Sequence, residues 1–166
     1  MTRREPVVLG PGAGTAAWTL GGRFTVKLGE ALSQGRVSVI EVTAYRTADP
    51  PLHIHHREDE AWYILEGQMT FHVGGAAHTV TAGSFVFAPM GIAHTFTVDV
   101  EPTRVLLLAS PSGFENFALQ LGVPADGDPP SEGLAVPGPE VLGPVAERYG
   151  IEVVGPPWRI AHPEDA

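Results

Sequence analysis

Three of the seven histidines, His53, His55 and His56, fall within "PPLHIHHREDEAWYILEG" (residues 50–67), together with the acids Glu58, Asp59, Glu60 and Glu66. Imidazoles and carboxylates this close together can bind a divalent metal, move protons, or simply form a solvated polar loop. Spacing narrows the choice. In an extended strand, side chains two residues apart share a face, so His53 and His55 project together while Ile54 and His56 point the other way. A short reversal through His56, Arg57, Glu58 and Asp59 leads to a strand beginning near Glu60. Antiparallel pairing of the two strands would set Glu60 across from the histidine pair, with Trp62 and Ile64 continuing its face.

A fourth group comes from "GSFVFAPMGIAHTF" (residues 83–96). Gly83 and Pro89 bracket a strand, Gly91 permits a tight bend, and His94 opens a strand with Phe96 and Val98 on its own face. Imidazole plus carboxylate suits one Fe(II), Mn(II), Ni(II), Co(II) or Zn(II), and leaves coordination positions open for a substrate.

The elements that must hold these groups read as β structure. "AAWTLGGRFTVKLG" predicts two short strands around Gly21-Gly22, and "VSVIEVTAYRT" (37–47) is the longest β-prone run, stopped by Asp49-Pro50-Pro51. Strands are expected next at Ala61 to Leu65, Gln68 to Val73, "SFVFAP", Ala93 to Val98 and Thr103 to Ala109. Turns are expected at Glu66-Gly67, Gly74-Gly75 and Gly83. Gln68 to Val73 alternates, with Met69, Phe71 and Val73 on one face and Gln68, Thr70 and His72 on the other. Met69, Phe71 and Phe96 are candidate cavity residues, although filling of an ordinary barrel explains them equally well. The 20 glycines and 16 prolines in 166 residues, well above the average share, agree with many short strands joined by turns.

After Ser110 the period changes. Phe114, Phe117, Ala118 and Leu121 mark one helix face, with Ser112 and Glu115 spaced as a capping box and Gly122 and Pro124 as a stop. Residues 123–139 form a Pro/Gly/Asp-rich connector. A second short helix is expected over Glu140 to Tyr149, where Pro144 must sit in the first turn or break it. "GIEVVGPPWRI" could add an edge strand. The expected organisation is an N-terminal arm (1–14), a β-barrel (15–110) and a helical C-terminal extension packed on it (111–166).

With these motifs and strands in place, the chain resembles a single-domain cupin, an all-β double-stranded β-helix (jelly-roll) family. The family's first motif, two histidines one residue apart followed by a glutamate and a glycine, matches His53-Ile-His55, Glu60 and Gly67. Its second, glycine–proline–glycine–histidine, matches Gly83, Pro89, Gly91 and His94. The first motif's leading glycine is Thr47 here, and the asparagine often found after the last histidine is Val98. The resemblance implies one divalent transition metal per chain, held by His53, His55, Glu60 and His94. The spacing to Gly67 favours Glu60 over Glu58 or Asp59. "SPSGFENFALQLGVPA" and "RYGIEVVGPP" resemble the C-terminal extension of bacterial monocupins similar to quercetin dioxygenases. The resemblance therefore implies a metal-dependent enzyme, foremost a dioxygenase acting on a small enol, hydroxy-ketone or flavonol-like chelator, with Glu60 as a ligand that can also accept a proton. Isomerisation, decarboxylation, or a non-catalytic small-molecule or metal-binding module would use the same groups. A homodimer is the family expectation, and the stretch at Trp62 and Tyr63 is the only hint of sticky surface.

Composition excludes other classes. A net charge of −9 repels phosphate backbones, and no DNA-binding segment accompanies the barrel. Without cysteine there are no disulfides or thiolates. With no signal peptide or long apolar run, a cytoplasmic protein that engages no membrane is the expectation. His56 reads as a surface or supporting residue, His72 and His78 as solvated, and His162 as without a role.

Overall fold

The computed structural model describes residues 6–129 and 135–165. Residues 130–134 of the expected connector, and parts of both expected terminal regions, lie outside the described residues. Ten strands occur among them: β1 (Thr15–Thr19), β2 (Gly22–Leu28), β3 (Ser38–Ala44), β4 (Pro51–His55), β5 (Asp59–Val73), β6 (Ala76–Thr81), β7 (Phe85–Ala88), β8 (His94–Ser110), β9 (Val123–Pro124) and β10 (Ile151–Pro157). Four short helices accompany them: α1 (Glu30–Ser33), α2 (Phe114–Leu121), α3 (Pro139–Arg148) and α4 (Trp158–Ala161). No helix among the described residues is long and apolar enough to cross a membrane.

Two long strands make the architecture. The N-terminal half of β5 pairs with β7 and with the C-terminal half of β8, while its C-terminal half pairs with β6 and with the N-terminal half of β8. β5 and β8 therefore belong to two layers at once. One layer runs β9-β1-β2-β3-β8-β5-β7, and the other β10-β4-β8-β5-β6. Ile40, Ile64, Met69, Phe71 and Val98, each at most 1% exposed, fill the space between them. This is an all-β jelly-roll.

The bend in β5 falls where a turn was expected. Register shifts between Ile64 and Met69. Gly67 sits there with φ of 87°, and a Cβ on it would lie 2.1 Å from Thr103 Oγ1. Both the backbone angle and the close approach require glycine, so the strand kinks and continues instead of ending. The first hairpin differs by one residue: its two-residue loop is Leu20-Gly21, both at positive φ, as a primed turn demands, and Gly22 already belongs to β2.

The C-terminal elements fold back over the barrel. The N-cap of α2 is Gly113, with no side-chain cap, rather than Ser112 of a Ser112–Glu115 capping box. Glu115 is instead buried, accepting hydrogen bonds from the backbone N–H groups of Gly113 and Glu30 and from the Ser38 hydroxyl. Its helix is thereby tied to α1 and β3. Pro144 lies inside α3 without ending it. β10 pairs antiparallel with β4, Ile151 opposite His55 and Val153 opposite His53. Beyond it, Arg159 pairs with Asp49 and donates to the Val98 carbonyl at 2.9 Å. Trp158 stacks between His72 and His162, with centroid separations of 3.5 and 3.8 Å. His72 is therefore half-buried under the tail, not solvated, and His162 helps to pin that tail.

Candidate metal centre

β4 and β8 run side by side at His53 and His94, which are direct cross-strand partners. Alternation adds His55 to the same face, and the three imidazole centroids lie 4.4 to 5.4 Å apart. Glu60 arrives differently from the sequence expectation. β5 does not pair with β4. The reversal after His55 carries the chain across to the other layer, where Glu60 pairs with Ala88 and Ala109 and reaches the histidines across the interior. One ligand atom from each of His53, His55, Glu60 and His94 lies within 4.8 Å of all the others. His55, Glu60 and His94 are each at most 2% exposed.

Hydrogen bonds orient all three rings. His53 Nδ1 donates to the Pro51 carbonyl at 2.8 Å, His94 Nδ1 to the Ile92 carbonyl at 2.9 Å, and His55 Nδ1 to Glu58 Oε1 at 2.6 Å. The acceptors are carbonyls or a carboxylate, so each Nδ1 carries a proton and each ring turns its Nε2 inward, where loss of any proton it holds frees a lone pair for a ligand. His55 Nε2 and His94 Nε2 both stand 3.2 Å from Glu60 Oε2. His55 Nε2 and Glu60 Oε1 are buried without a hydrogen-bond partner. Such a carboxylate needs positive charge beside it, supplied by protons on the Nε2 atoms or by a cation among them. Three imidazoles and one carboxylate form a donor set that could hold a divalent transition metal.

The electrostatics agree. Burial and the neighbouring His94 and His55 imidazoles push His53 down to about 3, which keeps it neutral and able to ligate. Burial alone would raise Glu60. The opposing charge of His55 and the hydrogen bond from His94 outweigh it and hold the carboxyl at about 2. For His55, burial works against charging, but the carboxylates of Glu60 and Glu58 prevail and raise it above its ordinary value.

His53, His55 and Glu60 open into a cavity of about 80 Å³ between the layers. Its walls include Trp62 and Phe96 from the barrel, but also Phe114 and Phe117 of α2, Leu142 and Ala146 of α3, and Ile151 and Val153 of β10. Of the three candidate cavity residues, Phe96 lines it. Met69 and Phe71 do not: Phe71 packs behind Trp62 and Phe96, at ring separations of 5.0 and 5.5 Å, in the layer beneath. His56 pairs with Glu152 on the surface, and His78 is exposed.

The cupin domain family model matches residues 40–109, a span that holds all four converging side chains. Residues 40–109 form a cupin domain. Over 75 residues it is 33% identical to quercetin 2,3-dioxygenase of Bacillus subtilis (strain 168), a match covering 45% of this chain and 22% of that protein. The chain thus spans under a quarter of that relative's length. KdgF from Halomonas sp. superposes with a TM-score of 0.58 at 17% identity, over 68% of this chain and 98% of that one. An RmlC-like cupin from Shewanella frigidimarina NCIMB 400 does so with a TM-score of 0.54 at 20% identity, over 71% and 100%. At those identities the structural likeness is one of fold.

Sequence reasoning misses two parts of this site. Spacing presents Glu58 only as a rival to Glu60, whereas its place three residues after His55 in a tight reversal brings its carboxylate back to that ring. The walls supplied by α2, α3 and β10 leave no local signal, because they depend on where the C-terminal segment lands.

Proposed function

We propose that the chain is a metal-dependent cupin dioxygenase acting on a small substrate that chelates through adjacent oxygens, such as an enol beside a carbonyl. The observation that carries this reading is the set of three inward-facing Nε2 atoms and the unpartnered Glu60 Oε1 at the wall of an apolar cavity. His53, His55, Glu60 and His94 would hold one Fe, Ni, Mn, Co or Zn ion. The metal, when bound, supplies a Lewis-acidic centre with open positions for the substrate oxygens. Glu60 Oε1, lacking a partner, is placed to accept the proton the substrate loses on chelation. The apolar walls exclude water, which strengthens charge interactions at the centre. Similarity to a quercetin 2,3-dioxygenase supports O₂ as the co-substrate. A homodimer formed through an outer sheet face belongs to the same proposal.

The test is metal analysis of the purified protein, then oxygen-electrode assays of Fe(II)-, Ni(II)- and Mn(II)-loaded protein with enolisable diketones, flavonols and catechols. Uptake is expected with at least one pairing, reduced at least about a hundredfold in Glu60→Gln. Retained metal with no uptake for any pairing would move the assignment to a non-oxidative lyase or isomerase, or to a binding module.

A further inference from the structure

We infer that the C-terminal extension is a working part of the metal centre, with Arg57 as the positioning residue that couples the two. The inference rests on the metal-centre reading.

A hairpin turn is held by the ladder of its own two strands. The reversal from His56 to Glu58 lacks that support, because β4 and β5 do not pair with each other. Yet this segment carries Glu58, whose carboxylate orients the His55 ring at 2.6 Å. Its position is therefore set by what it touches on either side. On one side the Gly91 N–H donates to the His55 carbonyl and the Met90 N–H to Asp59 Oδ1, both at 2.8 Å. That side is the loop leading to His94, within the barrel. The other side is the C-terminal extension.

The grip on the extension is close. The His56 N–H donates to the Gly150 carbonyl at 2.8 Å. Arg57 Nη1 donates to the Arg148 carbonyl, also at 2.8 Å. Arg148 ends α3, so this carbonyl has no partner within the helix, and a guanidinium there meets the negative end of the helix dipole. The stem of Arg57 lies across Gly150, where a Cβ would stand 2.7 to 2.8 Å from Nε, Cδ and Cγ. Gly150 also has φ of 75°, so backbone angle and close approach both require glycine at this corner. Directly after it, Ile151 begins the ladder opposite His55. The end of α3, the start of β10 and the turn that carries Glu58 thus meet in one contact. The His56–Glu152 pair joins the same segments, but both side chains are more than half exposed, so it adds little.

Removing the Arg57 guanidinium loosens the turn, and His55 then loses the fixed acceptor that orders its ring. Because Arg57 acts through Glu58, its loss must cost less than loss of the Glu58 carboxylate itself. The coupling is also reciprocal. If a docked extension tightens metal binding, bound metal must steady the docked extension.

The experiment measures Co(II) affinity of the full chain from the visible absorption of the bound ion, in a double-mutant cycle of Arg57→Ala and Glu58→Ala. Arg57 is exposed, and an exposed substitution without such a role is usually close to neutral. Arg57→Ala is expected to raise the Kd about five- to tenfold. Arg57→Lys, whose ammonium can still donate to the Arg148 carbonyl, should restore most of the affinity. In the Glu58→Ala background, Arg57→Ala should have no further effect. Hydrogen exchange reads the reciprocal effect: in the wild type, Co(II) is expected to slow exchange across residues 148–154 about fivefold, and in Arg57→Ala to slow it less. Should Glu58→Ala bind too weakly to titrate, the lysine rescue and the exchange measurement decide. Unchanged affinity in Arg57→Ala, an equal loss in both backgrounds, or no rescue by lysine would overturn the role of Arg57. Exchange across 148–154 that ignores Co(II) would overturn the coupling while leaving the metal centre standing. No protein-bound Co(II) spectrum in the wild type would overturn the metal-centre reading, and this inference with it.

Discussion

Glu58 is the residue that most separates a tuned centre from a bare set of ligands. Its carboxylate, 6% exposed, accepts from His55 Nδ1 at 2.6 Å, whereas His53 and His94 donate only to backbone carbonyls. A carboxylate behind a metal-binding imidazole fixes the ring and raises its basicity. Glu58→Ala is expected to weaken Co(II) or Zn(II) binding roughly 10- to 100-fold, and Glu58→Gln, which keeps an acceptor, to recover part of it. The pH dependence has a definite sign. In the metal-free protein, burial disfavours a charged His55, but Glu60 and Glu58 hold its pKa above the ordinary 6.5. A metal must displace that proton, so affinity falls as pH drops through the raised value, by about tenfold per unit. Glu58→Gln removes one of the influences that raise the pKa, so the decline should begin at a lower pH. Metal titrations at several pH values decide it: an unmoved onset would leave Glu58 a packing residue only.

At the scale of elements, the two-layer barrel depends on β5 and β8 bending without breaking. Gly67 is the pivot. Gly67→Ala combines an unfavourable φ of 87° with a Cβ 2.1 Å from Thr103 Oγ1, and is expected to cost about 2 kcal/mol or more. Gly75→Ala, at a similar φ of 81° but with nothing within 4 Å, should cost only about 1 kcal/mol. Urea unfolding of the two variants separates backbone strain from steric clash, and equal losses would remove Thr103 from the account. The same residue shows where sequence reading stops. A glycine at positive φ serves a turn or a bulge alike, and only the partner strand, here continuous through Thr103, decides which. Alternation in β4 is local, so the shared face of His53 and His55 is legible before any fold is known, whereas the place of His94 beside them depends on the pairing of β4 with β8 and is implied only by the family resemblance. Glu60 is legible as a candidate ligand, but not its route, because layer assignment depends on long-range pairing. The buried Glu115 shows the same limit: its spacing fits a cap, yet its partners Glu30 and Ser38 are about eighty residues away in the chain.

For the molecule as a whole, the largest unexplained feature is the outer face of the layer that carries Glu60. Of the Trp62–Tyr63 stretch, Trp62 is 2% exposed on the interior face it shares with Ile64, while Tyr63 is 43% exposed and pairs with Phe85 at 61%. Phe87 lies beside them opposite Ala61, and Leu106 and Leu108 continue the face on β8. Apolar side chains gathered across three adjacent strands are rare on a free surface. A two-fold axis through the patch would set it against itself, the self-complementary arrangement of an isologous dimer. Each chain carries −9, so the copies repel at long range while their apolar faces attract at contact. Added salt should therefore tighten the dimer, the opposite of what an interface held by ion pairs would do. Sedimentation equilibrium is expected to give twice the 17.6 kDa chain mass for the wild type and the single mass for a Phe85→Asp, Phe87→Asp double variant. Because both phenylalanines lie outside the cavity, the variant should keep its Co(II) spectrum, which separates lost association from lost folding. A wild type that stays monomeric at tens of micromolar, in low and high salt alike, would show that this face does not serve self-association.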